Sequence, residues 1–312
     1  MKQKTSSAAP SRPVKRSPLW RRGLSSTSRS KADRREAVVA LGFLAPSLTG
    51  VCIFILLPFL DALRRSFFSA MGGRPVGLDN YSLVFENEAF RLAAANTARF
   101  TLWCIPLLLI LSLLLALAVH AAADASGILK TGFLLPMAIP VASMVLLWRV
   151  LFHQNGLVNR LFELFNVAGT NWLGSDSAFI VLVMSYLWKN CGYNMVLWLS
   201  GLYGISPELC EAAQVDGAGR WQRFLHITLP GLRPHLFTIT VLSLLNSFKV
   251  FREAYLLMGD YPHKSIYLLQ HLFNNWFVTL DIDKLCAAAS VMAVAVFTVI
   301  LLLQKTIDRE EA

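Results

Sequence analysis

Charge is scarce in this sequence. Only 15% of its 312 residues are Asp, Glu, Lys or Arg, while 55% are hydrophobic. So little charge cannot cover a water-facing surface, which excludes an ordinary soluble domain and indicates a polytopic membrane protein. Acid is scarcest at the start. Before Ala37, Lys2, Lys4, Arg12, Lys15, Arg16, Arg21, Arg22, Arg29, Lys31, Arg34 and Arg35 face only Asp33 and Glu36. Nearly all of the formal net charge of +10 therefore lies in that stretch. The remainder is close to neutral, which leaves a nucleic-acid partner without support.

Other absences narrow the chemistry. The five cysteines (Cys52, Cys104, Cys191, Cys210, Cys286) have neither metal-ligand spacing nor the density of a disulfide framework, and each reads as a small buried hydrophobe. His120, His153, His226, His235, His263 and His271 are dispersed, with no His-x-x-x-His or Glu-x-x-His cluster. A membrane-embedded enzyme therefore has no support, and no metal is expected. No Gly-x-x-x-x-Gly-Lys-Ser/Thr loop occurs, so nothing in the chain cradles ATP phosphates. No inverted repeat is evident either, which disfavours a secondary transporter.

Long apolar runs are what the sequence has. A spanning helix needs about 20 predominantly apolar residues, and six stretches qualify. They run roughly Ala37–Leu60, Ala95–Ala122, Ile128–Phe152, Phe179–Tyr203, His235–Met258 and Leu285–Gln304. Pro136 and Pro140 are expected to bend the third. The expected fold class is an all-α membrane protein with six transmembrane helices. Residues 1–36 form a disordered basic tail, 37–304 the transmembrane domain and 305–312 a short tail. Lys and Arg favour the cytoplasmic side, so both termini are expected inside. Arg64 and Arg65, after the first span, argue weakly the other way. Membrane lipid is an expected partner of the basic tail.

With that orientation, three longer segments face outward: Arg64–Ala94, His153–Ala178 and Gly259–Lys284. Their Gly, Asn, Asp and Pro content predicts turns. The segment between spans four and five, residues 207–234, faces the cytoplasm. Ser206 is the expected N-cap and Pro207 fits the first helical turn. Glu208 suits the positive end of the helix dipole. Glu208–Val215 reads as a short helix that Gly217 and Gly219 break. Arg220–Ile227 reads as a second, stopped by Pro230.

Glu211-Ala212-Ala213, Asp216-Gly217-Ala218, Phe224, Ile227-Thr228-Leu229-Pro230 and Pro234 resemble the EAA loop of ABC importer permeases. Gly77-Leu78-Asp79-Asn80-Tyr81, Asn96-Thr97, Leu134-Leu135-Pro136, Pro140, Gly156-Leu157-Val158-Asn159 and Trp172-Leu173-Gly174 resemble matching segments of the carbohydrate-uptake branch. Gly259-Asp260-Tyr261-Pro262 departs from the Gly-Gly-Gly-Pro turn of many relatives. The resemblance implies a permease subunit, not an enzyme, in the bacterial cytoplasmic membrane. It also implies ATP-binding subunits, a second homologous permease and an external solute-binding protein as partners. No cofactor is expected in this chain, with ATP and Mg bound by the partner ATPase. Glu208, Glu211, Ala212, Ala213, Asp216 and Gly217 are the implied ATPase-coupling residues. The two alanines permit close approach, and Glu211 offers a charge to a basic partner. Arg220 and Arg223 are expected to meet partner acids or lipid phosphate.

Polar groups at mid-membrane are costly and face the bundle interior. Asn190, Tyr193 and Asn194 form one helical stripe on span four. Ser243, Asn246 and Ser247 form another on span five. Amides and hydroxyls beside an aromatic ring suit a sugar, and the resemblance implies that this part of both helices lines its path. Asn190, Tyr193, Ser243, Asn246, Ser247 and Lys249 are the candidates. The competing view is that these groups bond across helix contacts, at about 0.6 kcal/mol each. Lys249 and Glu253, four apart, are expected to neutralise one another. A phosphorylated solute, such as a sugar phosphate or glycerophosphodiester, is the alternative substrate, with Lys189 or Lys249 as its cation.

Overall fold

The computed structural model describes the backbone of residues 31–69, 73–122 and 126–311, and the side chains of 38–69, 73–122 and 127–305. Residues 1–30 of the expected basic tail and Asp124 of an expected inner loop lie outside the described residues. Among those described, the chain is helical apart from connecting turns and an isolated bridge between Phe68 and Pro75.

The chain divides into two compact units, Met1–Phe59 and Leu60–Ala312. In the first, α1 (Lys31–Val51) begins inside the basic stretch, carries Pro46 internally and runs into a wide π turn, Cys52–Leu56. Its apolar side chains are bare: Phe43 is 84% and Phe54 80% exposed. Such a surface needs lipid rather than water around it. The run continues as α2 (Leu57–Arg65), where Arg64 and Arg65 both pair with Asp61.

The second unit is built on two long helices. A short helix, α3 (Asp79–Glu86), precedes α4 (Glu88–Ala121). Asn87 caps α4, its side chain accepting from the Phe90 N–H at 3.0 Å. Phe100, Cys104, Leu108, Ser112 and Ala116 recur every four residues and make one buried stripe. The helices α5 (Ser126–Ala138), α6 (Val141–Leu151) and α7 (Leu157–Leu164) follow, then α8 (Ala178–Gly204). The stripe of α4 packs on α8, where Leu182, Tyr186, Met195, Trp198 and Leu199 are buried. Trp198 Nε1 donates to Ser112 Oγ at 3.1 Å, and Phe100 meets Tyr186 edge-on at 5.4 Å.

Beyond α8 come α9 (Pro207–Val215), α10 (Arg220–Arg223), a π turn (Phe224–Thr228), α11 (Leu229–Gly231) and α12 (Arg233–Ser247). A 3-10 turn (Phe248–Val250) joins α12 to α13 (Phe251–Met258), and α14 (Leu269–Val278) and α15 (Ile282–Glu311) complete the chain. The last helix runs well past the expected Gln304.

By length and composition, three of the described helices can cross a membrane: Val38–Arg65, Glu88–Ala121 and Ile282–Lys305. The expected third span is not one straight helix. Its halves meet at 91° beside Pro140 and make a fourth crossing only if the bent pair is counted as one. Pro140 supplies no N–H and its ring holds the preceding residue out of the helical region. The expected fourth span, α8, has 27 residues and is about 40 Å long. Its Lys189, Asn190 and Asn194 dilute its apolar character. The expected fifth is interrupted by the 3-10 turn.

Pro230 does not end its helix, contrary to expectation. The π turn before it widens the coil, with the Leu229 N–H reaching the Phe224 carbonyl five residues back. That widening admits the proline ring and the run goes on into α12.

Several residues singled out in the sequence are latches of the connecting segments. Asn80 donates to the Ser66 and Phe68 carbonyls at 3.0 and 2.9 Å. Asn96 donates to the carbonyls of Lys264 and Tyr267 at 2.6 and 3.0 Å, and Thr97 accepts from the Leu269 N–H at 3.0 Å. Asn159 Oδ1 accepts from Thr170 N and from Trp172 Nε1, the latter at 2.7 Å. These side chains satisfy backbone groups that no regular ladder would serve.

Candidate functional site: an exposed helical turn and a polar seam

The segment between α8 and α12 stands out from the packed bundle. Pro207 occupies the first turn of α9 and Glu208 lies beside it. Ser206 holds the cap position through its backbone, but its hydroxyl makes no capping bond. At the other end the cap is complete. The Ala218 N–H reaches the Ala213 carbonyl at 2.8 Å and the Gly217 N–H reaches Gln214 at 3.1 Å. This is a Schellman closure, and Gly217 takes the left-handed φ of +83° that it requires. The run Ala212–Ala218 is thus a stop signal written in sequence.

Beyond the turn, Gln222 Oε1 accepts from the Gly219 N–H at 2.8 Å and starts α10. Arg223 folds back, donating to Gln214 Oε1 at 3.1 Å and approaching the Cys210 carbonyl at 3.5 Å. Its expected role toward an outside acid is therefore partly taken up inside the turn. Glu208, Glu211, Ala212, Asp216 and Gly217 are exposed and Ala213 is half-buried. Glu208 and Glu211 have no side-chain partner among the described residues. Val215 is 88% and Trp221 73% exposed, and Trp221 stacks on Phe224 at 5.5 Å. Carboxylates beside bare apolar groups on a rigid turn make a surface fit to seat against another protein.

The two polar stripes meet only in part. Asn194 donates to Ser243 Oγ at 2.8 Å, and Tyr186 Oη donates to the Ser243 carbonyl at 2.9 Å. Ser243 is buried by these bonds. Ser247 is buried too, its hydroxyl turned to the Leu244 carbonyl of its own helix at 2.7 Å. Asn190 donates to the Tyr186 carbonyl at 2.8 Å. Tyr193 and Asn246 are half-buried, and Tyr193 Oη has no hydrogen-bond partner among the described residues.

The expected Lys249–Glu253 pair does not form. The 3-10 turn at 248–250 shifts the phase between them. Lys249 instead donates to Asn246 Oδ1 at 2.9 Å on an exposed face. Glu253 pairs with Lys189 of α8, and both side chains are largely buried. Two residues of the seam, Tyr186 and Glu253, were not among the sequence candidates. Tyr186 was legible as the position one turn before Asn190.

Residues 99–310 match the family described as binding-protein-dependent transport system inner membrane component. The trehalose/maltose transport system permease protein MalF of Thermococcus litoralis is 32% identical over 254 residues, 80% of this chain and 86% of that protein. The lactose transport system permease protein LacF of Rhizobium radiobacter is 26% identical over 296 residues, 92% of this chain and 99% of that one. The fold is similar to that of a bacterial ABC transporter involved in the import of the acidic polysaccharide alginate. The TM-score is 0.78 at 23% identity, over 89% of this chain and 98% of that one.

Proposed function

Because the chain belongs to the family of binding-protein-dependent transport system inner membrane components, we propose that it is a permease subunit of an ABC importer that carries a carbohydrate across the cytoplasmic membrane. It is a transport component and not an enzyme. The observation that carries the coupling role is α9: an acid-bearing exposed helix, rigidly capped at Gly217, standing between the helices that hold the polar seam.

The complete reading has six spans, with α8 and the α12–α13 run as the fourth and fifth and both termini inside. Residues 1–36 and 305–312 are the cytoplasmic ends of a transmembrane domain over 37–304. Separate ATP-binding subunits bind ATP and Mg, and α9 seats in one of them through Glu208, Glu211, Ala212, Ala213, Asp216 and Gly217. Closure of the ATPase pair then moves α8 and α12 as near-rigid levers. A second permease completes the pathway. An external solute-binding protein delivers the ligand, as the periplasmic protein of the alginate transporter complex is bound with an alginate pentasaccharide. Tyr193 and Asn246, half-buried, present groups to the sugar. Asn190, Ser243 and Ser247 shape the seam around them.

The neutralisation of Lys189 by Glu253 supports an uncharged sugar. Lys249 is exposed and without a carboxylate partner among the described residues. That favours, as a second reading, a solute with a phosphate group.

Uptake and ATPase activity in proteoliposomes of the whole complex test this, with a carbohydrate panel and the binding protein present. One carbohydrate is expected to stimulate both activities, and Glu211→Lys is expected to abolish them at unchanged protein abundance. Full uptake by an equally abundant Glu211→Lys complex sinks the coupling role. Stimulation by phosphorylated solutes alone selects the second reading.

A further inference from the structure

Helix α7 takes no part in the transport reading, yet one of its faces is apolar and bare. Leu157, Leu161, Leu164 and Phe165 recur at helical spacing, each between 56% and 78% exposed. The opposite face is fixed. Asn159 is latched to the Thr170 carbonyl and to Trp172 Nε1, and Phe162 stacks on Trp172 at 5.6 Å. A helix held by one face, with an apolar face turned outward, has the pattern of one seated in a membrane interface.

Where α7 begins, a cavity of about 470 Å³ lies between it and the end of α6. Arg149, His153 and Arg160 line it together with Val150 and Leu157, and none of its lining residues is acidic. Leu157 belongs both to this lining and to the bare face of α7, so the basic wall and the apolar face are continuous. Gly156 makes the turn that brings them together. A methyl group there would lie 2.5 Å from the Val150 and Leu151 carbonyl oxygens, a closeness only glycine permits. Arg149 is held in place by Nη2, which donates to the Leu256 and Leu257 carbonyls at 2.9 and 2.7 Å. Its other N–H groups have no partner among the described residues. His153 Nδ1 accepts from the Asn155 N–H at 3.2 Å, which in the neutral ring puts the proton on Nε2. Arg160 has no side-chain partner among the described residues. Like charges around one cavity repel, and an anion between them relieves that.

We propose that this cavity binds the phosphate of one anionic phospholipid, whose acyl chains cover the bare face of α7 from Leu157 onward. The donors fit a phosphodiester. The planar guanidinium fork of arginine donates two bonds at once to phosphate oxygens, and His153 Nε2 supplies a further donor. The apolar part of the lining selects a lipid over a soluble anion. A soluble anion would leave Val150, 65% exposed, and the α7 face in water, whereas a lipid covers both. Charge selects the headgroup: two arginines attract a net-negative lipid and oppose the ammonium of a zwitterionic one. Arg149 also grips the last turn of α13, so the lipid adjoins the outer end of the helix that carries Glu253. The proposal rests on the chain lying in a membrane, and not on which solute is carried.

The test is native mass spectrometry of the complex, delipidated and titrated with phosphatidylglycerol or phosphatidylcholine. One phosphatidylglycerol per chain is expected to be held more tightly than phosphatidylcholine. Arg160→Gln, at an exposed position, is expected to weaken that retention on the order of fivefold, the attraction one near-surface cation supplies. Lys305→Gln on another helix is expected to leave it intact. Glycerol phosphate at the same concentration is expected not to displace the lipid. Equal retention of the two lipids, or unaltered retention in Arg160→Gln, overturns the proposal. Displacement by glycerol phosphate would make the cavity a site for soluble phosphates and overturns it too. A photo-crosslinker at Leu161 is expected to capture lipid, and capture of the binding protein or the second permease instead overturns the choice of occupant. Retention is read without solute or ATP, so a failure of the transport reading leaves this outcome separately visible.

Discussion

A methyl group on Gly192 would lie 1.8 Å from the carbonyl oxygen of Phe133. The backbones of α5 and α8 touch there, and only glycine permits it. Gly192→Ala is therefore expected to destabilise the complex by about 1–3 kcal/mol, the usual cost of overpacking. Thermal melting in detergent reads this, with Gly204→Ala, where no atom of the described residues lies within 4 Å, as the unaffected control. His271 sets a second residue-scale expectation. Its ring is fully buried, Nδ1 accepts from the Leu268 N–H at 3.2 Å, and Phe251 stands edge-on at 4.8 Å. Burial pushes the imidazole down from 6.5 to about 4, against an opposing pull from Asp260. Between those values the unfolded chain binds a proton that the folded one does not. Stability is then full above pH 6.5 and falls as pH drops toward 4, by up to about 3 kcal/mol. Melting at pH 7.5 and pH 5 checks the sign, and His271→Phe is expected to flatten the dependence.

At the scale of elements, α8 and α13 are joined by the Lys189–Glu253 pair. The second carboxylate oxygen of Glu253 is buried with no hydrogen-bond partner among the described residues. Removing one partner strands a buried charge, which costs about 3–5 kcal/mol, whereas removing both costs far less. Glu253→Gln alone is expected to lower the melting temperature of the complex clearly. Lys189→Met with Glu253→Gln is expected to recover most of the loss. Additive losses in that double-mutant cycle would mean that the two charges do not act together. The turn around Gly217 shows the converse, an element closed wholly by local bonds. Its cap bonds, from Ala218 to Ala213 and from Gly217 to Gln214, lie within five residues of chain, a rigidity that the proposed coupling role would use.

For the whole molecule, the distribution of apolar surface is the governing fact. Val38–Arg65 buries none of its apolar window in the chain itself, and Glu88–Ala121 buries a third. The rest must face lipid or other subunits. In the proposed transport reading the solute meets the polar groups of the α8–α12 seam, where Asn194 and Ser243 are paired with each other. Tyr193→Phe and Asn246→Ala are expected to raise the half-saturating solute concentration for uptake roughly tenfold, the equivalent of one lost hydrogen bond. Co-purification with the ATPase is expected to be unchanged. Loss of co-purification instead would assign both residues to assembly.

Local chemistry was legible before any coordinates. Scarce charge and long apolar runs determined an all-helical membrane protein. Pro207 and the Ala212–Ala218 stop signal determined α9 and its turn, because caps are satisfied within a few residues of chain. The residues resembling the EAA loop pointed to the family that the comparison then established. Tertiary structure decided what depends on which helices meet. Pro140 had already announced the bend of the third expected span, which measures 91°; tertiary structure carried the chain through Pro230 on a π turn and gave Glu253 to Lys189 rather than to Lys249. It also spent Asn194 and Ser243 on one another. Spacing along a helix says which side chains share a face, but a side chain's partner is chosen by the neighbouring helix. That choice is made by packing between segments 49 to 64 residues apart, beyond the reach of any local pattern.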